Sequence, residues 1–204
     1  MQYLLDYLAS VILGAALIFV MINANDTAAE NHSLYNGDMM VQEMLVQTAY
    51  LLEGELRNMG VGIPETQQSV LAADTSRIRF LYDMHRDGTP DTVQYYMGTT
   101  NEMIDTPNEL DRPLYRRINS GQPLVVGSVT VFRLRYITRS GDNLPTPVIS
   151  TSLSEIHSVE ITMEVQNPFA MMRTPEQVKA GERIALYSSS LWQQTRLASQ
   201  NTRR

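Results

Sequence analysis

The chain predicts an α+β fold in which one long N-terminal helix packs on an antiparallel β-sheet head. Three patterns carry that expectation. Residues 3 to 22 form an apolar run; residues 41 to 59 repeat apolar side chains at three- and four-residue steps; from residue 78 onward apolar and polar residues alternate as in strands. The expected organisation is a transmembrane helix at 1–24, an amphipathic helix continuing it at 25–62, a β-rich head at 63–192 and a polar tail at 193–204.

The first element is MQYLLDYLASVILGAALIFVMINAN. Tyr3 to Ile22 is 20 residues, and at about 1.5 Å per residue a helix of that length matches the roughly 30 Å hydrocarbon core of a bilayer. A cleavable signal peptide would carry a basic start, a shorter apolar core and an A-x-A-like site. Here no Lys or Arg precedes Arg57, and Ile22-Asn23-Ala24 is a poor cleavage site. The stretch therefore reads as a spanning helix. The positive-inside signal is absent, so orientation rests on the large polar remainder, with Asp26 and Glu30 just past the span, being placed outside the cytoplasm.

Asp6 is the acid within this run. A carboxylate at the centre of a span costs about 2.5–3.5 kcal/mol on insertion scales, and less near an end. Two readings are open. Asp6 is a boundary residue reaching the interface, or it meets a cation, such as the N-terminal ammonium of a neighbouring copy, when such helices pack together.

Beyond the span, Val41, Met44, Leu45, Thr48, Ala49, Leu52, Leu56 and Met59 gather on one face of a 3.6-period helix, with Glu43, Gln47, Glu53 and Arg57 largely elsewhere. Gly60, Gly62 and Pro64 stop it. As one helix from about Tyr3 to Met59 the two segments are on the order of 85 Å long. Asn31 to Gly37 invites a bend or break, because its residues are poor helix formers.

Strands follow. Ile78, Phe80 and Tyr82 alternate with Arg79, Leu81 and Asp83, and after the loop MHRDGTPD the residues Val93, Tyr95 and Met97 alternate with Gln94 and Tyr96. Asp87-Gly88 between two such runs is a hairpin signal. LYRRI, a short strand after SGQP, and Val129 to Tyr136 come next. Ile156 to Val165 alternates well enough to be central, and the segment ending SSSLW gives a last strand. Five or six antiparallel strands with the amphipathic helix on one face make the head.

Composition narrows function. A net charge of −6 and pI near 5.1 argue against a nucleic-acid partner. With no cysteine there is no disulfide, thiolate nucleophile or cysteine metal site. His32, His85 and His157 are scattered without metal-ligand spacing, and SSSLW offers hydroxyls without a neighbouring base. No nucleophile elbow, P-loop or dinucleotide fingerprint occurs, so no enzyme is expected. The methionines Met39, Met40, Met44, Met59, Met171 and Met172 read as adaptable packing. Asp83, His85, Asp87, Gly88 and Asp91 match positions 1, 3, 5, 6 and 9 of a calcium loop, but His85 stands at position 3 and Gln94 at position 12 cannot supply a bidentate carboxylate. A solvated hairpin turn is the main expectation there, with a calcium site on Asp83, Asp87 and Asp91 the weaker one.

A membrane helix with an acid near its start, running into an amphipathic continuation that ends LLEGELRNMGVGIP, resembles type IV pilin-like proteins, most closely the minor pilin W and pseudopilin J group. IRFLYDMHRDGTPDTVQYYM (78 to 97), LYRRINSGQPLVVGSVTVFRLRYITRSGD (114 to 142) and LSEIHSVEITMEVQ (153 to 166) fit that group in order. The resemblance implies that Asp6 pairs with the terminal amine of an adjacent subunit, and that the apolar helix is membrane anchor before assembly and filament spine afterwards. It implies as partners other pilin-like subunits, the inner membrane and the assembly machinery of a pilus or type II secretion system. The chain departs from the family in carrying Asp where glutamate stands at the fifth mature position; Asp6 becomes fifth if Met1 is removed. Family precursors also carry a short basic leader ending in glycine, so the expectation divides between a leader preceding this sequence and unprocessed insertion.

Two functions are thus weighed: a structural subunit of a pilin-like assembly, or a singly anchored extracytoplasmic binding module whose helix is a plain tether.

Overall fold

The computed structural model describes residues 2–64, 66–103, 106, 108–167, 171–172 and 185–198. Its first element is one uninterrupted helix, α1 (Gln2–Arg57, 56 residues). The helix does not break at Asn31 to Gly37, because local and distant contacts hold it together there. The Thr27 and Ser33 hydroxyls donate to the carbonyls of Asn23 and Ala29 at 2.9 and 3.1 Å, and Asn36 Nδ2 lies 2.8 Å from His32 Nδ1. These polar side chains bond within the helix instead of competing with it.

A clasp from the far end of the head completes this. Asn167, fully buried, donates through Nδ2 to Leu34 O at 3.2 Å and to Asp38 Oδ1 at 2.9 Å, and the Ser188 hydroxyl donates to the same Asp38 oxygen. Gly37 makes room for it, since a Cβ there would stand 2.2 Å from Asn167 Oδ1. Gly37→Ala therefore gains intrinsic helix propensity, about 1 kcal/mol, yet displaces a buried amide whose lost partners cost roughly 1–3 kcal/mol. A lower melting temperature in a thermal scan is expected.

The helix ends where Gly60 and Gly62 turn left-handed, at φ 80° and 76°. Gly60 N–H donates to Leu81 O at 2.8 Å and Asp83 N–H to Val61 O at 2.9 Å, which ties the turn to the sheet. At Gly62 a side chain is excluded twice over, by the backbone angle and by Asp83 Cβ at 2.5 Å from any added Cβ.

The first sheet is an antiparallel meander of β1 (Val70–Asp74), β2 (Arg77–Tyr82), β3 (Asp91–Met97), β4 (Arg112–Ile118) and β5 (Leu124–Val129), in that spatial order. The second contains β6 (Val131–Ile137), β7 (Asn143–Leu144), β8 (Ser158–Gln166) and β11 (Ser189–Ala198), ordered β11-β8-β6-β7. β8 is central, as its alternation predicts. A two-residue pair, β9 (Met171–Met172) with β10 (Ala185–Leu186), completes the strands of the described residues. From Gln193 the chain is not a polar tail: β11 continues to Ala198 and pairs antiparallel with β8. Backbone pairing along a long partner strand outweighs the polar character of QQTR. Residues 199–204, the rest of that expected tail, lie outside the described residues.

The sheets are stitched together by Tyr136, fully buried, whose hydroxyl donates to Asp74 O at 2.9 Å and Arg77 O at 3.1 Å, and by Leu134 N–H to Thr75 O at 2.7 Å. Burial lifts the Tyr136 phenol well above its ordinary pKa. The amphipathic half of α1 lies across the inner faces of both sheets. Val41, Ala49, Leu52, Leu56 and Met59 enter one core with Phe80, Tyr95, Leu114, Val129, Ile161 and Met163. The fold is thus a single long helix on antiparallel sheets, α+β as expected.

Candidate membrane and assembly surface

The two halves of α1 have opposite environments. From Tyr7 to Ile22 nearly every large apolar side chain is exposed, among them Val11, Leu13, Leu17 and Phe19. By length and composition α1 is long and apolar enough to cross a membrane, and none of its apolar 18-residue window is buried within the protein. Contiguous exposed apolar surface on this scale marks a site that meets lipid or protein. Asp6 lies in the second turn of α1, with its side chain outside the described part.

The apolar surface does not stop at the membrane half. On the outward side of the head-packed half, Tyr35, Met39, Val46 and Tyr50 are all exposed, Tyr50 at 82%. Their steps of four, seven and four residues place them on one face of the helix. Near its end, Leu45, Val46, Ala49 and Tyr50 of α1 and Leu191 and Trp192 of β11 line a shallow cleft of about 270 Å³. Glu43 with Gln47 and Glu53 with Arg57 flank the stripe as i,i+4 pairs at 2.9 and 2.5 Å.

What holds the helix to the head is ionic as well as apolar. Glu55 sits on the buried side of α1, between Leu52, Leu56 and Met59. Its carboxylate accepts from the Tyr82 hydroxyl at 3.2 Å, from the Tyr95 hydroxyl, and from Arg116 through Nε at 3.1 and 3.0 Å and through a terminal nitrogen. Arg116 comes from β4, 61 residues away, and both partners are largely buried. Burial, reinforced by the Glu55 carboxylate, raises the Tyr95 and Tyr82 phenols above their usual range, and hydrogen bonding to Glu55 raises the Arg116 guanidinium. Both phenols thus stay protonated as donors. The sequence held a signal for this site, an acid at a core position of an amphipathic helix, which demands a buried cation.

The loop from Asp83 to Asp91 folds on itself. Asp83 accepts the N–H groups of Asp87 and Gly88 at 3.1 and 2.9 Å, and Asp87 accepts Thr89 N–H at 2.8 Å. Asp91, buried at the start of β3, takes Asn119 Nδ2 at 2.8 Å, His85 Nδ1 at 3.0 Å and Met84 N–H at 3.3 Å. The Asn119 hydrogen bond leads the effects that hold its carboxyl below the ordinary range. The three acids therefore serve separate turn contacts, and among the described residues no three His, Asp or Glu side chains converge as a metal site. His32 bonds within α1 and His85 within this loop.

Comparisons of the chain with protein-family models, with curated proteins and with solved structures gave no match.

Proposed function

We propose that the protein is a pilin-like structural subunit of the minor pilin or pseudopilin kind. It inserts in the inner membrane by the first half of α1, holds its head on the periplasmic or outer side, and joins a pilus or secretion pseudopilus at its tip or priming complex. The observation that carries this reading is the division of one unbroken helix: from Tyr7 to Ile22 none of it is buried, and the next half is fixed in the head while still showing an apolar, helix-spaced stripe outward. A plain tether has no need of rigid continuity with the head or of Tyr35, Met39, Val46 and Tyr50 beyond the membrane. A subunit that stacks helix against helix needs both.

In that assembly Asp6 supplies the charge contact, meeting the terminal ammonium of a neighbouring subunit in surroundings where neither group is well solvated. Asp6→Ala should leave membrane insertion intact and reduce co-purification with pilin-like subunits by about tenfold or more, the loss of one desolvated charge pair. Undiminished co-purification would favour the tethered binding module instead.

A further inference from the structure

The face of the first sheet turned away from α1 has a chemistry of its own. Strand register brings Arg79, Gln94 and Arg117 into one cross-strand row, and Arg77, Tyr96 and Tyr115 into the next. The alternation that buries Ile78, Tyr95 and Leu114 against the helix puts all six on the opposite face. Two strand spacings, about 10 Å, separate the backbones of Arg79 and Arg117.

In an acidic chain this row carries cations and no acid. Its β1 neighbour is Ala72. Arg79 is exposed, and Arg117 spends Nε on Gly121 O at 3.0 Å, leaving its terminal nitrogens for other partners. The bordering carboxylates belong to the tyrosine row and are engaged. Asp74 accepts Thr75 N–H at 2.7 Å, and Glu102 accepts Thr99 N–H, the Thr99 hydroxyl and the Tyr115 hydroxyl at 2.8 Å each.

The tyrosine row narrows the ligand class. Tyr96 and Tyr115 stack on each other with ring centroids 5.0 Å apart, and Arg77 covers Tyr96 at 5.9 Å. Tyr96 is thereby covered by two partners and Tyr115 by one, which leaves little of the open aromatic platform on which single-strand nucleobases stack. The remaining groups are guanidinium forks suited to carboxylates, and a Gln amide suited to hydroxyls. An exposed sheet face leaves a small anion unenclosed but lets a polymer make several weak contacts in series.

The geometry points to this face as a binding surface for an acidic polysaccharide, its carboxylates on Arg79 and Arg117 and its hydroxyls on Gln94. This goes beyond the assembly reading and stands independently of it.

Full-length protein in detergent, titrated with an alginate oligosaccharide, a neutral dextran oligomer and oligothymidylate, tests it. Alginate should bind and weaken as salt rises, while dextran and oligothymidylate should not bind. The paired Arg79→Gln and Arg117→Gln variant should bind alginate at least roughly tenfold more weakly at an unchanged melting temperature. Replacing both by Lys should lose part of that affinity, since charge without the fork remains. Arg133→Gln, on the exposed side of the second sheet, should bind as the parent does. Absence of alginate binding, equal binding by the Gln pair, or preference for oligothymidylate would overturn the inference. So would self-association that the Gln pair abolishes, which would assign the face to a second copy.

Discussion

Glu55→Ala should be the most damaging single substitution in the head. It strips Arg116 of its carboxylate and leaves a largely buried guanidinium uncompensated, while the Tyr82 and Tyr95 hydroxyls lose their acceptor. Breaking one side of a buried pair costs about 3–5 kcal/mol, which for a chain of this size lowers the melting temperature by roughly 6–20 °C. Calorimetry or a circular-dichroism melt of the solubilised protein reads this directly. The joint replacement Glu55→Leu with Arg116→Met should recover much of the loss, because an apolar pair of similar volume leaves no charge stranded. If Glu55→Ala melts like the parent, the clasp between helix and head is not ionic.

The second large effect lies in the other half of the helix and should separate cleanly from the first. Leu13→Arg together with Leu17→Arg places two guanidinium groups one turn apart on the exposed apolar run. At about 2.5–3.5 kcal/mol each near the centre of a span, the pair costs roughly 5–7 kcal/mol of insertion free energy. Carbonate-resistant membrane retention should collapse, while the head melts unchanged, since this stretch contributes nothing to the head's core. Glu55→Ala should show the reverse, an intact membrane fraction and a weakened head. Retention of the double-Arg protein in washed membranes would contradict the spanning role.

Much of the fold was legible because its periodicities are local. The apolar run, the 3.6-residue face from Val41 to Met59, and the alternations in β2, β3, β6 and β8 depend on neighbours a few residues away. The unbroken helix at Asn31 to Gly37 was not, since the clasp from Asn167 lies about 130 residues along the chain. Nor was the strand character of Gln193 to Ala198, which is set by a partner rather than by composition.

The candidate site divides in the same way. The exposed apolar half can be read directly, and the loop acids Asp83, Asp87 and Asp91 stood out by spacing, but spacing is blind to which acceptors the backbone has already taken. Glu55 is marked by its core position on the helix, but its partner Arg116 and the arginine row become visible only once strand register fixes which residues share a face.

The central claim is that α1 is an assembly surface along its length and not a tether. Photo-crosslinking residues placed at Phe19 and at Tyr50, both exposed on α1, test it most directly in membranes of producing cells. Covalent adducts with the N-terminal helix of a neighbouring subunit are predicted from both positions, and their loss is predicted when Asp6 is replaced by Ala. Adducts with lipid at Phe19, and none with protein at either position, would contradict it.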